Sequence, residues 1–402
     1  MNKMIQKFVT LFFSISLLFL INGCAEDPDP SLLSLIAPSN ETPELISLNP
    51  PDSALAGVTV IEINGKNFSD DPAKIIVYFN GTKGAIQSAT PTKILVKVPI
   101  VISDTVNVVV AVQGAEMISN KLTIMLKPAV SEYYPFDAKK GEIPYSFTID
   151  NQSNFYISNF DKGILKIEPN GTASEFAPPR SGLSKFNTIT YGPNTILYAT
   201  NFVKGIYQVE AGQQAKTFVA GSNGITESVV CTDFDINKNL WAGGKNNIFR
   251  VRLDKNVRAF PVNGTVNAIK VYQNYIFAAV TSNNKEIVLR IPFIGTDSLG
   301  VPEEYFNYST QVDTASGIVA MAISQDGELY LGTSRSSDPV TVLKTNGSFE
   351  TLYPGLINSS VYAMCWGTGN YLYISINDTP TQSRTIYKLD LLKPGATYYG
   401  RE

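Results

Sequence analysis

Carboxylates, amides, lysines and three cysteines are what this chain has for chemistry, because its 402 residues include no histidine. That absence removes Ser-His-Asp and Cys-His nucleophile systems, His-ligated zinc and an imidazole general base. Cys231 and Cys365 each lie in an apolar strand-like run, SVVCTDF and VYAMCWG. They read as two buried small hydrophobes, since two cysteines so far apart make no disulfide framework. The residues best suited to hold a ligand fall in short polar loops: Asn159, Phe160 and Lys162; Asn201, Phe202 and Lys204; Lys245 and Asn246; and Arg335. Asn, Lys and Arg bring planar and forked hydrogen-bond donors, and Phe brings an apolar face. That combination suits a sugar or another polar ligand with an apolar side. The plainer alternative is that Asn and Lys favour turns and the two phenylalanines tuck under their loops. A net charge of −3 argues against a nucleic-acid partner. With 44% hydrophobic, 11% aromatic and 17% charged residues, the chain is long and apolar enough to fold into two or three β-rich domains.

The elements that position these residues begin after an address. Lys3 and Lys7 precede an apolar run from Phe8 to Ile21, too short for a comfortable bilayer span and right for a signal-peptide core. The run ends in Leu20-Ile21-Asn22-Gly23-Cys24. This resembles the lipobox of bacterial lipoproteins, with Asn22 a less usual middle residue. The resemblance implies cleavage after a signal peptide of residues 1–23, lipidation of Cys24 and a stable membrane anchor of several acyl chains. Residues 24–42 open with Ala25-Glu26-Asp27-Pro28-Asp29-Pro30 and read as an acidic, proline-broken tether. An acidic pair just after the lipidated Cys is similar to the surface-export signals of Bacteroidetes lipoproteins, which implies the outer membrane and its cell-surface side.

Residues 43–127 contain strand candidates at Val58–Ile63, Ile75–Phe79, Ile94–Val98, Val106–Val112 and Leu122–Leu126, with Asn64-Gly65 and Asn80-Gly81 as hairpin turn signals. The pattern predicts an immunoglobulin-like β-sandwich. In detail it resembles the IPT/TIG family: PELISLNP at 43–50, then Gly57, INGKNF at 63–68, VYFNG at 77–81 and ILVKVP at 94–99. Asp70-Asp71 reads as a solvated turn and not as a pair of metal ligands.

From residue 143 one unit recurs. Its clearest marker is an aromatic residue at positions 156, 198, 241, 277, 330 and 373, spaced by 42, 43, 36, 53 and 43 residues. A following strand repeats as GILKI, GIYQV and NIFRV at 163, 205 and 247. Four strands per unit, six times, predict an all-β six-bladed β-propeller over residues 128–402. The uneven intervals predict a short fourth blade and an insertion near Gly295–Ser316. Ring closure falls to Val130–Tyr134 or Ala396–Tyr399, and the sequence leaves both open. The units resemble the NHL/SMP-like propeller superfamily, on the Asp-x-x-Gly-Asn turn before an apolar-Tyr-apolar strand seen at Asp150–Tyr156 and Ser324–Tyr330.

That resemblance also carries an enzyme alternative. Gluconolactonase-like propellers hold a divalent metal on the axis with acids and amides and need no histidine. On the innermost strands only Asp233 fits as the acid, with Asn187 and Asn267 as amide ligands for a cation such as calcium. One carboxylate supports a metal thinly, so no cofactor is assigned and the reading leans away from an enzyme. It favours a lipid-anchored, monomeric envelope protein that binds a polysaccharide or other extracellular ligand on the propeller loop face, with an envelope-protein scaffold or a metal-dependent lactonase-like hydrolase as alternatives.

Overall fold

The computed structural model describes residues 40–296, 298–378 and 383–399. The expected signal peptide, Cys24 and most of the expected tether fall outside them. Among the described residues no helix is long and apolar enough to cross a membrane.

The first domain is a sandwich of two sheets. One has the order Glu44–Asn49, Val60–Lys66, Lys93–Lys97, Ala85–Thr90; the other has Ser53–Leu55, Leu122–Lys127, Ser103–Val112, Ile75–Phe79, Thr82–Lys83. Alternation along Ile75–Phe79 and Ser103–Val112 turns Val77, Phe79, Val106, Val108 and Val110 inward, all essentially without exposure. Asn80-Gly81 makes the expected hairpin, with both residues at positive φ. Asn64-Gly65 does not. It lies inside Val60–Lys66 and pairs with Leu45 and Ser47. Gly65 is required there by close approach, since a Cβ would stand 2.1 Å from the Glu44 carbonyl oxygen and 2.3 Å from the Phe68 ring. Asp71 caps the short turn Pro72–Lys74 through the Ala73 N–H, 3.0 Å away, as a solvated turn would.

The second domain is a ring of six sheets. Their innermost strands are Pro144–Ile149, Thr188–Tyr191, Cys231–Phe234, Thr265–Tyr272, Ile318–Ile323 and Ser360–Trp366. Each sheet packs on the next through its own apolar cluster, so the core is six wedges and not one central mass. The repeating aromatics Tyr156, Tyr198, Trp241, Phe277, Tyr330 and Tyr373 are all buried in these wedges. Tyr156 meets Phe176 edge to face at 4.9 Å, as Tyr198 meets Phe218 at 5.0 Å.

Blade four is not short. Its strands Thr265–Tyr272, Tyr275–Ser282 and Lys285–Gly295 are among the longest in the ring. The short interval before it arises because residues 262–264 alone cross from blade three to blade four, where 178–187 and 221–230 make the two preceding crossings. The expected insertion is a strand extension: Lys285–Gly295 pairs with Ser298–Leu299 beyond the blade, and Glu303–Asn307 returns as its fourth strand.

Closure is settled by pairing. Val130–Glu132 is the outermost strand of blade six, with Val130 opposite Leu389 and Ser131 opposite Lys388. The other candidate does something else. The Ala396 N–H donates to the Ile323 carbonyl at 2.9 Å, and the Tyr398 hydroxyl reaches the Ile149 and Trp366 carbonyls at 2.9 and 2.8 Å. Those carbonyls lie at the ends of three innermost strands, so the C-terminal segment crosses one mouth of the central channel.

Candidate functional site

Because the tail occupies one mouth, the channel becomes a cavity of about 420 Å³ with its opening on the face of the blade crossings and the loops between second and third strands. Its wall is the innermost strand of every blade, and Tyr398 and Tyr399 lie at its floor.

The carboxylate expected on the axis sits deep in this cavity. Asp233 Oδ1 is 3.4 Å from Lys270 Nζ, and its Oδ2 accepts the Val271 N–H at 2.8 Å. Burial raises the Asp233 pKa, opposed by the Lys270 ammonium and the Val271 N–H. Asn187 and Asn267 line the same cavity at other positions. Asn187 precedes the innermost strand of blade two, and Asn267 lies four residues before Val271, about 13 Å along the strand at ~3.3 Å per residue. The Asn267 amide donates to Thr281 Oγ1 at 2.7 Å. Asp233 and Asn267 therefore lie at different depths, and the acid is already engaged by Lys270. Among the described residues no group of three acids or cysteines could hold an ion. Cys231, at the start of the same strand, is held by burial at a pKa of about 12, too high for a thiolate nucleophile at neutral pH. Both Cys231 and Cys365 are buried.

The loop residues divide sharply. Phe202 lines the cavity mouth with 64% of its surface exposed and a φ of +49°. A bulky residue in the left-handed region costs about 1 kcal/mol or more. Phe160 is half-buried and tilts against Tyr145 with ring centroids 5.9 Å apart. Asn159 is buried, and its Oδ1 accepts the Ile143 N–H at 2.5 Å, so it fixes the entry of blade one and faces no ligand. Lys162, Lys204 and Lys245 are exposed and do not line the cavity, and neither does half-buried Asn201. Asn246 belongs to a turn folded over Glu227, whose carboxylate accepts its N–H at 3.1 and 3.2 Å. Arg335 faces Asp313 at 3.9 Å. Apart from Phe202, none of these loop residues lines the cavity.

Sequence reasoning missed a cationic cluster that packs behind the part of the cavity wall formed by Asn187 and Tyr362. Lys185, in the crossing to blade two, has Nζ 4.0 Å from the centroid of Tyr145 and 5.3 Å from that of Tyr362. Arg384, on the third strand of blade six, has Cζ 3.8 and 4.9 Å from the same two centroids. The rings themselves meet edge to face at 5.2 Å. Burial pushes the Lys185 pKa down, and the nearby Arg384 charge adds to that. Tyr362 lines the cavity and donates its hydroxyl proton to Asn187 Oδ1 at 2.8 Å; burial lifts its pKa to about 12, so the proton stays. This fixes the Asn187 amide with its Nδ2 buried and without a partner. The only sequence signal was a basic residue two positions before Asn187.

With fold and site in view, the class is plain: an all-β protein that joins an immunoglobulin-like sandwich to a six-bladed propeller. Residues 43–124 match the IPT/TIG domain family. Among solved structures the chain is similar to a candidate phosphatase of Bacteroides thetaiotaomicron, at 12% identity over 87% of this chain and 97% of that one, with a TM-score of 0.56. An auxiliary nutrient binding protein from the same organism matches at 14% identity over 87% and 97%, with a TM-score of 0.52. A gluconolactonase from Xanthomonas campestris matches at 11% identity over 65% and 89%, with a TM-score of 0.50. At such identities the likeness is one of fold. A search of curated proteins returned no match.

Proposed function

We propose that this protein is a lipid-anchored cell-envelope binding protein whose propeller receives a glycan-sized extracellular ligand through the loop face. The observation that carries the reading is the cavity itself. It is closed at one end, open at the other, lined by aliphatic side chains interspersed with hydroxyls and amides and edged by Phe202 and Tyr362, while its deepest carboxylate is engaged by Lys270. A concave site with an aromatic edge and a few convergent polar groups is what a small polar ligand needs. A hydrolase would need a free acid or base poised at that depth, and Asp233 is not free. The name of the nutrient binding neighbour points the same way. The sequence before residue 40 supports anchoring through Cys24 at the outer membrane and display on the cell surface, with the chain acting as a monomer.

Binding of the full-length chain to an array of soluble polysaccharides tests this. We expect selective retention of one or a few glycans, weakened at least tenfold by Phe202→Ala, a loss of about 1.4 kcal/mol or more. A ligand retained equally by Phe202→Ala and by a Thr232→Trp variant that fills the cavity would place binding elsewhere and overturn the reading.

A further inference from the structure

Several half-buried cations elsewhere in the propeller have acids beside them. Lys166 has Glu168 at 3.1 Å, Lys270 has Asp233 at 3.4 Å, Lys344 has Glu350 at 2.8 Å, and Lys393 has Asp326 at 3.1 Å. Lys185 and Arg384 do not, and unlike Arg180 and Lys388, which also lack an acid among the described residues, they are held together as a pair. They share the same two tyrosine rings, and neither is in an ion pair among the described residues. Arg384 Nη1 is buried with no hydrogen-bond partner, and so is Asn187 Nδ2 on the neighbouring cavity wall. Two like charges held together and two orphaned buried donors make a group of hydrogen-bond donors with no acceptor. Leaving such groups unsatisfied is costly, and a ligand that supplies the acceptor recovers that cost on binding.

We propose that Lys185, Arg384 and Asn187 form a receptor for a carboxylate, and that the ligand is an acidic saccharide of the uronate class. The inference rests on the reading of the cavity as a ligand site. A planar guanidinium matches a carboxylate in a two-pronged geometry, Lys185 adds a point charge, and the Asn187 amide donates a further hydrogen bond. Tyr145 is buried beneath the two cations, so the saccharide ring would lie in the cavity that Asn187 and Tyr362 line, which a sugar acid can fill and a free inorganic anion cannot.

Calorimetric titration of the full-length chain with trigalacturonate, galactotriose and a sulfated galactan oligosaccharide of similar length tests it. Trigalacturonate is expected to bind at least tenfold more tightly than the other two, and to lose at least tenfold in Lys185→Met and in Arg384→Met. Its affinity should also fall as NaCl rises to 0.5 M. In the ligand-free protein Lys185→Met should raise the thermal midpoint, since it removes a disfavoured charge while keeping the apolar stem over the rings. Equal or tighter binding of galactotriose would overturn the acidic class while leaving the glycan-binding reading intact. Tighter binding of the sulfated chain would overturn the carboxylate. Failure of all three to bind at millimolar concentration would overturn the inference, as would a lowered midpoint in Lys185→Met, which would mark the cations as structural props.

Discussion

At the scale of single residues, the buried acids separate into two kinds by what they accept. Asp150 takes the Gln152 and Asn154 N–H groups, the Asn154 amide and the Tyr156 hydroxyl, all within 3.1 Å. Asp235 does the same for Asn239 and the Trp241 indole. These carboxylates hold the turn between the first and second strands and are structural, however catalytic an acid beside a conspicuous aromatic might look. Asp233 is different, because a single side chain neutralises it. Lys270→Met leaves it buried without its cation, and we expect a loss of about 2–3 kcal/mol at pH 7. That is below the ~3–5 of a fully buried pair because the lysine side chain keeps 27% of its exposure. The sign of the pH dependence follows. Without Lys270 the folded-state pKa of Asp233 rises further above its unfolded value, so the penalty is present above that pKa and disappears as pH falls toward the unfolded value. Denaturant titrations at pH 7 and pH 5 should show the variant recovering at pH 5, and Asp233→Asn added to Lys270→Met should recover most of the loss at both. An unchanged deficit at pH 5 would mean that Lys270 acts by packing alone.

At the scale of elements, the C-terminal segment converts a channel into a cup. Gly395 makes this feasible: a Cβ there would stand 2.0 Å from the Trp366 ring, so only glycine lets the backbone cross that face. Gly395→Val should displace the tail and hydrate Trp366, with Trp241, fully buried between blades three and four, unaffected. The expected readout is a red shift in tryptophan emission together with faster proteolysis of the C-terminus; an unshifted spectrum would show that the floor survives. This element also shows what the sequence could and could not carry. The aromatic spacing revealed six blades because each wedge needs one large residue at the same register, a local requirement repeated in order. The role of Ala396–Tyr399 was hidden because its partners, Ile149, Ile323 and Trp366, come from three blades. Lys185 and Arg384 escaped notice for the same reason. They lie 199 positions apart and meet only after the ring closes. The loop residues that sequence did single out, Lys162, Lys204, Lys245 and Arg335, were chosen for their type. Turns favour those types whether or not they face a ligand.

At the scale of the whole molecule, closure decides whether the rim exists at all. A propeller whose outermost strand in the last blade comes from the N-terminal side of the ring ties first and last blades together before either can drift, and the Tyr145, Tyr362, Lys185 and Arg384 group spans that seam between blades six, one and two. Tyr133 reinforces it by stacking on Phe155 of blade one with centroids 4.0 Å apart while its N–H donates to Ile386 of blade six. The seam can be locked covalently. Ser131 and Lys388 are direct antiparallel partners, a relation that puts Cα atoms about 4.5–5.5 Å apart and within disulfide range. The double variant Ser131→Cys, Lys388→Cys should oxidise in the folded state without involving buried Cys231 or Cys365. The closed form should gain about 2–4 kcal/mol over the reduced one, read as a higher calorimetric midpoint without reductant than with it. Ligand affinity should be kept or improved, since locking the seam holds the receptor groups in the arrangement a ligand needs and removes part of their ordering cost. If the disulfide forms and stability rises while affinity falls, the rim must open at this seam to admit its ligand, and the cup would be a gated one.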